Sequence, residues 1–399
     1  MSTNRISTSA MHSTVMAQMM ARQTALAKTQ SQVASGKRVQ SPSDDPIATT
    51  QILDLERSRA QLEQYGKNSD AATARLNMGE QAMADATNLL QRVRDLTLQA
   101  NSGVVDAASR ASIATELKAR SQELQDLANR RDANGEYLFS GFSTQTQPFS
   151  RGTTGVSYAG DQGVRSLQIG TDQRVADSFS GQEAFMGIAQ GNGTFVVAAG
   201  VHSGTGSIDT GQVTNAAAWV RGNYTVQFTS ANTWQVVDSA SAVVASGAYT
   251  SGGAIAFNGV QVSVSGAPAT GDTFTVAPAA TESVFTTIDN LITSLGSGVD
   301  DPGSRSQLNT NLNGSLAQLD QALDHFINLR AGIGARLSTI DNATASRQQL
   351  DDALSGSLSQ LQDLDYADAV SRMNQQLVGL QAAQAAYARI AQLSLFNYL

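Results

Sequence analysis

The amino-acid sequence predicts a multi-domain α+β protein, in which both chain ends form an antiparallel helical bundle or coiled coil and an all-β domain is inserted between them. Three observations lead to this fold class. The six prolines leave two long windows free for helices, one between Pro46 and Pro148 and one after Pro302. Glycine is concentrated between those windows, with 20 of the 34 glycines in residues 150–285. On both sides of that segment, apolar residues recur at helical spacing.

The strongest periodicity lies in the C-terminal half of the chain. Nine positions there follow alternating steps of four and three residues, and eight of the nine are apolar, which is typical of a coiled-coil seam. These positions are Leu312, Leu316, Leu319, Leu323, Phe326, Arg330, Ile333, Leu337 and Ile340. Matching runs in the N-terminal half are Leu76, Met83, Ala86, Leu90, Val93 and Ala100, followed by Ile113, Leu117, Leu124 and Leu127. Because the runs are far apart in sequence, they predict separate helices that pack side by side.

The segment between the helical arms is typical of short β-strands. Five runs are rich in aromatic and β-branched residues: Tyr224–Phe228, Thr233–Val237, Ala254–Phe257, Val260–Val264 and Thr273–Val276. The pair Asn258-Gly259 between two of these runs predicts a tight hairpin. The expected boundaries are therefore 1–45 and 360–399 for terminal helices, 46–149 and 284–359 for a helical bundle, and 150–283 for the inserted β-domain.

Local signals mark the boundary between the first two helices. Gly36 suits the position that follows the end of a helix. Asp45 suits an N-cap, and Pro46 suits the first residue of the next helix. The pair Asp44-Asp45 is interpreted as capping groups rather than metal ligands, because no third ligand follows at a fixed spacing.

Both extremities continue the apolar repeat more weakly. A single amphipathic helix is marginally stable in water unless its apolar stripe finds a partner. We therefore infer that the two ends pair with each other, with copies of the same chain, or with both. The predicted assembly interface comprises Val15, Met19, Leu26, Val33, Tyr366, Val370, Met373, Leu377, Leu380, Tyr387, Leu395 and Phe396.

The composition excludes several classes of protein. The 399 residues include no cysteine, which rules out disulfides, thiolate metal sites and a cysteine nucleophile. The formal net charge of −8 argues against a dedicated nucleic-acid binder, since such proteins carry a basic surface. No run approaches the roughly 18 apolar residues of a membrane-spanning helix. The N-terminal sequence also lacks the apolar core and cleavage site of a conventional secretory signal.

No set of residues predicts a catalytic, cofactor-binding or metal-binding site. The three histidines are His12, His202 and His325. They are far apart in sequence and are interpreted as solvated or packed side chains. Gly332-Ile333-Gly334 resembles the start of a dinucleotide-binding loop, but it interrupts the heptad run, so we interpret it as close helix packing at small residues. Asp300-Asp301 precedes a proline and is interpreted as a turn or cap, whereas Asp351-Asp352 is interpreted as part of a helix surface.

Several segments resemble a known family. They are Arg5-Ile-Ser-Thr8, Lys28-Thr-Gln-Ser-Gln-Val-Ala-Ser-Gly-Lys-Arg38 with Pro42-Ser-Asp-Asp-Pro46, Asn134-Gly-Glu-Tyr-Leu-Phe-Ser-Gly141, Tyr158-Ala-Gly-Asp161 and Leu393-Ser-Leu-Phe-Asn-Tyr-Leu399. In this order, and at these distances from the two ends, they resemble bacterial flagellin and its relatives. Within that family they are most similar to the hook-associated protein 3 branch, the hook–filament junction proteins.

The resemblance implies a non-enzymatic structural component of the bacterial flagellum. Such a protein would form a ring of subunits that contacts hook-associated protein 1 on one side and the first flagellin subunits on the other. Its terminal helices would line the axial channel, and the β-domain would face outward. The family also implies export by the flagellar type III apparatus to the cell exterior without a cleaved signal, and a chaperone that holds the C-terminal helix.

Two alternatives remain open, and a third finds no support in the sequence. The first is flagellin itself, the bulk subunit of the filament. The second is a surface adhesin or carbohydrate-binding protein that uses Trp219 or Trp234 of the inserted domain, although a core role is expected for both tryptophans. The third is an enzyme, but no arrangement of residues in the sequence predicts a catalytic site.

Overall fold

The structure, a computed structural model, describes residues 8–102, 105–153, 155–297 and 301–392. The helices in these ranges are α1 (Thr8–Ser35), α2 (Pro46–Ala100), α3 (Ala107–Ala128), α4 (Val284–Gly296), α5 (Pro302–Gln362) and α6 (Tyr366–Gln392). Strands occupy the middle of the chain, so the predicted α+β class is confirmed. The chain divides into two compact units, one formed by residues up to Lys67 and from Thr344 onward, the other by Asn68–Ala343. Helices α2 and α5 contribute residues to both units.

The predicted heptad run forms the core of the Asn68–Ala343 unit. Along α5, the side chains of Leu312, Leu319, Phe326, Ile333 and Ile340 are at most 2% exposed. They share one hydrophobic cluster with buried residues of α2, α3 and α4, including Leu76, Leu90, Leu117, Leu124 and Leu291. Arg330, the one polar member of the run, pairs with Glu80 of α2 at 2.7 Å. The charged residue that interrupts the apolar seam is therefore paired with an opposite charge.

The strands that the structure describes are all paired antiparallel. They are β1 (Phe149–Gly152), β2 (Gly155–Tyr158), β3 (Ser166–Gln168), β4 (Arg174–Ala176), β5 (Ile188–Ala189), β6 (Phe195–Ala199), β7 (Ser207–Ile208), β8 (Gln212–Val213), β9 (Tyr224–Ser230), β10 (Thr233–Asp238), β11 (Val243–Ala248), β12 (Ala254–Phe257), β13 (Val260–Ser265), β14 (Thr273–Pro278) and β15 (Thr281–Glu282). One sheet has five strands in the order β11-β10-β9-β14-β6, and a second has the order β12-β13-β7 with β8 beside β13. All five strands predicted from the sequence are present.

The predicted hairpin at Asn258-Gly259 is also present. Phe257 pairs with Val260 across the turn. Both turn residues have positive φ, 42° for Asn258 and 77° for Gly259. This is the backbone that a two-residue type I′ turn needs, and it explains the Asn-Gly pair.

The middle of the chain divides between two hydrophobic cores. Phe149, Ile169, Phe179 and Phe185 belong to the cluster formed by the helices. Strands β6 to β14 enclose a separate cluster, with Phe195, Ile208, Tyr224, Val226, Phe228, Val236, Ile255, Phe257, Val260, Val262, Val264, Phe274 and Val276. The sequence pattern grouped both parts as one insert because strand-like composition does not indicate which core a strand joins. We call residues 195–278, whose side chains form the second core, the β-domain.

Two of the family-like segments contact each other beside the helices. The Tyr158 hydroxyl lies 3.0 Å from the Phe139 carbonyl oxygen and 2.6 Å from that of Asp161. The Asp161 carboxylate in turn accepts hydrogen bonds from the backbone N–H of Phe142, at 2.9 Å, and of Gly163, at 2.7 Å. These contacts give the separated sequence segments one structural role, the closure of the loop that follows α3.

The β-domain leaves and re-enters the helical part of its unit at one point. The Ala279 N–H donates to the Thr194 carbonyl oxygen at 2.9 Å, and the Gln190 N–H donates to the Ala280 carbonyl oxygen at 2.8 Å. We therefore expect that replacing residues 195–278 by two glycines leaves the helices folded. Far-UV circular dichroism and thermal unfolding would measure this, with the midpoint shifted by less than about 5 °C.

A matched deletion tests the division between the two cores. Removing residues 155–188 takes Ile169, Phe179 and Phe185 out of the helical core. We expect this variant to lose its cooperative unfolding transition, since each large core side chain contributes about 3–5 kcal/mol. Loss of helix after the first deletion, or tolerance of the second, would contradict the assignment.

Candidate assembly interface

Helices α1 and α6 of the terminal unit pack against each other. Gly36, after the end of α1, adjoins the Tyr366 hydroxyl at the start of α6, and Arg22 lies over Gly379 in the middle of both helices. The two helices therefore run antiparallel. Of the three pairings expected from the apolar stripes, the structure contains the pairing of the two ends with each other.

The turn after α1 joins the end of α5 to the start of α6. Gly36 has φ +71° and follows Ser35, the last residue of α1, as its sequence signal predicted. Its carbonyl oxygen accepts a hydrogen bond from the Leu364 N–H at 2.9 Å. Arg38 donates its backbone N–H to Gln362 and its guanidinium to the carbonyl oxygen of Leu361, at 2.7 and 2.8 Å. A cation and an N–H thus satisfy carbonyls at the C-terminus of α5, where the helix dipole favours positive charge.

Asp45 is a helix-capping group, as predicted, whereas Asp44 instead holds together the turn that precedes α2. Asp45 Oδ1 accepts the Ala48 N–H at 3.0 Å, and α2 begins at Pro46. Asp44 pairs with Lys28 Nζ at 2.7 Å and accepts the backbone N–H groups of Gln40 and Ser41. The Lys28 hydrogen bond, followed by the two backbone donors, holds the pKa of Asp44 well below its ordinary value.

This pKa shift makes the turn sensitive to acid. Because the pKa is lower in the folded state, the stabilisation is complete above the ordinary value of 3.8 and disappears as the pH falls further. We expect the Gln40 and Ser41 amides to lose protection against hydrogen exchange between pH 5 and pH 2. In Asp44→Asn, the protection of these two amides should be low at both pH 5 and pH 2. Asp54→Asn, at an exposed pair with Arg57, serves as the control. Unchanged protection in Asp44→Asn would contradict the role of the carboxylate.

Seven of the twelve predicted interface residues lie along the seam between α1 and α6. Leu26 is 8% exposed. The other six are half-buried: Val15, Met19, Val33, Met373, Leu380 and Tyr387. Sequence analysis missed Thr29 and Ala369, which are buried on the two helices. Their small or polar side chains gave no apolar signal. Thr29 lies in the phase of the predicted repeat, whereas Ala369 lies one residue before the predicted position Val370.

Three predicted residues remain on the surface of the terminal unit. Tyr366 is 54% exposed, Val370 39% and Leu377 40%. The inward residues of α6 are Ala369, Met373, Gln376, Leu380, Ala383 and Tyr387. The stripe that contains Val370 and Leu377 is therefore displaced by one residue from the buried stripe and points away from α1. Tyr366 belongs to the inward stripe but lies in the first turn of α6, where its hydroxyl adjoins Gly36 and most of its ring remains exposed. Leu395 and Phe396 lie outside the described residues.

Other exposed apolar side chains lie on the same two helices. Val378 is 62% exposed on α6, and Met16 and Met20 are 41% and 60% exposed on α1. We call Met16, Met20, Tyr366, Val370, Leu377 and Val378 the outer face of the terminal helices. Exposed apolar residues grouped on paired helices are a typical feature of surfaces that bind other proteins.

The histidines and Asp301, which the sequence analysis interpreted as non-catalytic, have packing or capping roles where the structure describes their side chains. The His325 Nε2 atom lies 2.8 Å from the Glu183 carbonyl oxygen, and the His202 side chain is 2% exposed beside Phe274. The side chain of His12 lies outside the described residues. Asp301 caps α5 by accepting the Ser304 N–H at 2.9 Å. Among the described residues, no group of three or more His, Asp or Glu side chains is placed to hold a metal ion.

One packing interpretation was wrong. A Cβ atom added to Gly332 or Gly334 would meet no other atom within 4 Å, apart from the neighbouring backbone of its own helix, in the part of the chain that the structure describes. Close packing within this chain therefore does not explain these glycines.

Trp219 and Trp234 are partly buried against the core of the β-domain, in agreement with the core role expected for them. None of the described helices combines the length and hydrophobicity needed to cross a bilayer.

Solved structures share the fold and much of the sequence. FlgL from Xanthomonas campestris is 35% identical, with a TM-score of 0.73, and the match covers 99% of that chain and 76% of this one. The flagellar hook associated protein-3 from Legionella pneumophila is 33% identical, with a TM-score of 0.76, and 98% of that chain is covered. The chain belongs to the flagellar hook-associated protein 3 family, FlgL. The resemblance read from the short segments is thereby confirmed.

Family models and curated relatives agree with this assignment. The bacterial flagellin N-terminal helical region matches residues 6–144, and the C-terminal helical region matches 316–399. A model described as the D2-like domain of flagellar hook-associated protein 1 matches residues 200–278. The flagellar hook-associated protein 3 of Salmonella typhimurium is 33% identical over 46% of this chain and 57% of its own length. The flagellar hook-associated protein 3 of Escherichia coli is 34% identical over 37% of this chain and 49% of its own length. The chain therefore spans about half the length of these curated relatives.

Proposed function

We propose that this FlgL family member is a structural, non-enzymatic component of the bacterial flagellum that forms the junction between hook and filament. The observation that carries the proposal is the outer face of the terminal helices. Pairing of α1 with α6 leaves Met20, Tyr366, Leu377 and Val378 at 40–60% exposure or slightly more. A ring of subunits that packs through this face would remove these side chains from water.

The physical basis is burial that becomes available only on assembly. Each Å² of apolar surface removed from water contributes roughly 25 cal/mol, and the side-chain freedom lost at the interface offsets part of this gain. A lone subunit would thus remain soluble, whereas a subunit between neighbours would be held firmly. Leu395 and Phe396 belong to the proposed interface on the basis of the sequence alone.

The partners follow from the place of the family in the flagellum. One side of the ring would contact hook-associated protein 1, and the other the first flagellin subunits. Export through the flagellar type III apparatus to the cell exterior, with a chaperone on the C-terminal helix, would deliver the subunit without a cleaved signal. The absence of cysteine in the sequence suits a subunit that works outside the cell, because no thiol is available to oxidise.

Deletion of the gene tests the proposal. The mutant should keep its hooks, lose its filaments and shed flagellin into the medium, and the intact gene should restore motility. Electron microscopy of cells and immunoblots of the medium would measure these outcomes. A mutant with normal filaments would rule out the junction role.

Flagellin is the second candidate, because the polar flagellin F of Vibrio parahaemolyticus matches 90% of this chain at 23% identity. The two functions differ in how the purified protein polymerises. A flagellin extends long filaments from seeds, whereas a junction protein adds a limited number of subunits. Filaments of the purified chain visible by electron microscopy would favour flagellin.

A further inference from the structure

We propose that Met16 and Met20 are oxidation sites that control whether a free subunit can assemble, an inference that rests on the proposed junction function. Five of the nine methionines lie in the first 20 residues of the sequence. Met16 and Met20 are one helical turn apart on α1, at 41% and 60% exposure. Both belong to the outer face, away from the seam with α6.

The chemistry is the transfer of one oxygen atom from a peroxide to a thioether. The sulfur lone pair attacks hydrogen peroxide, the O–O bond breaks, an S–O bond forms, and water leaves. Sulfur is oxidised by two electrons and the peroxide is reduced by two. The product, methionine sulfoxide, is polar, and methionine sulfoxide reductases convert it back to methionine.

Exposure determines which thioethers react in the free subunit. The Met83 side chain in the helical core is 2% exposed and provides an internal reference, because peroxide cannot reach its sulfur without unfolding. Met16 and Met20 have no such protection. In the assembled ring the outer face would be covered, so oxidation would act on free subunits and spare assembled ones.

A sulfoxide on the outer face opposes assembly. Methionine suits such a face because its unbranched thioether adapts to irregular neighbouring surfaces. A sulfoxide oxygen buried there without a donor loses its hydrogen bonds to water and gains none. We expect the doubly oxidised subunit to incorporate at least about tenfold less efficiently than the untreated one. Oxidants would therefore remove damaged subunits from the assembling population.

The test uses the purified full chain and hydrogen peroxide. The tryptic peptide that ends at Arg22 contains Met16 and Met20, so tandem mass spectrometry can follow both sulfoxides beside that of Met83. Subunits are then added to cells that lack the gene but carry complete hooks, and restored filaments are counted. The double variant Met16→Leu/Met20→Leu keeps the apolar face and removes the reactive sulfurs.

The expected result has three parts. Met16 and Met20 react in the free chain before Met83, oxidised wild-type subunits restore fewer filaments than untreated wild-type subunits, and peroxide does not change the number of filaments that the leucine variant restores relative to its own untreated sample. Equal oxidation of Met83, full activity of the oxidised wild type, or equal loss in the treated leucine variant would each overturn the proposal. Failure of untreated wild-type subunits to restore filaments would instead count against the junction function.

Discussion

Leu377→Asp is expected to leave the subunit folded and to abolish its incorporation into the flagellum. Leu377 is 40% exposed on α6 and lies away from the seam with α1, so a carboxylate there stays in water in the free subunit. At the proposed interface the same carboxylate would lose its water without gaining a partner, which costs several kcal/mol. Since each 1.4 kcal/mol changes an equilibrium tenfold, incorporation should fall by about 100-fold or more.

Two other variants make this prediction sharp. Gln375→Asp introduces the same charge at an exposed position on the other flank of α6 and should incorporate normally. Leu380→Asp places the charge in the seam with α1 and should weaken the pairing of the terminal helices as well. Circular dichroism of the purified chains and filament counts in complemented deletion cells separate the three cases. Normal filaments with Leu377→Asp would contradict the proposed interface.

Among the single substitutions, Arg75→Ala is expected to have the largest effect on stability. The Arg75 side chain is 5% exposed and pairs with Asp132, which is 6% exposed, at 2.6 Å. It also contacts Glu136 at 3.3 Å and the Tyr137 carbonyl oxygen at 3.0 Å. Removal of the guanidinium leaves the Asp132 carboxylate buried without its cation. Loss of one partner of a buried pair lowers the free energy of unfolding by about 3–5 kcal/mol.

Urea unfolding followed by circular dichroism would measure this change. Arg57→Ala is the matched control, because Arg57 pairs with Asp54 on the surface, at 78% and 65% exposure. The control should change the free energy by less than about 0.5 kcal/mol, in the range of exposed helix pairs. Similar values for the two variants would show that Arg75 does not hold the loop to α2.

The same ion pair explains part of the family-like segment Asn134 to Gly141. Glu136 and Tyr137 of that segment supply two of the contacts of Arg75. The sequence marked the segment as characteristic of a family but gave no reason for its residues. A charged residue on a predicted helix is normally expected on the surface. The burial of Arg75 depends on a loop 57 positions later in the chain, which periodicity does not encode.

The helical core was predictable because one face of α5 carries almost all of its large apolar residues. The rotation of α6 was not, although its apolar repeat is similar. Its seam with α1 uses Ala369, Gln376 and Ala383, side chains too small or too polar to be read as interface residues. The geometry of the partner helix selects which stripe is buried. The apolar spacing of α6 therefore predicted that this helix has an interface, but it did not distinguish the face buried against α1 from the exposed face.

The shared entry and exit point of the β-domain has a consequence for the diversity of such subunits. Because the two ends of the module meet beside Thr194 and Ala279, the chain can be closed there when the module is lost or exchanged, and what the helices give up are contacts such as those of Ser306 in α5 with the carbonyl oxygens of Thr205 and Gly206. Solved relatives at 33–35% identity align with only 76–78% of this chain. The same position is a natural place to graft an enzyme or an epitope.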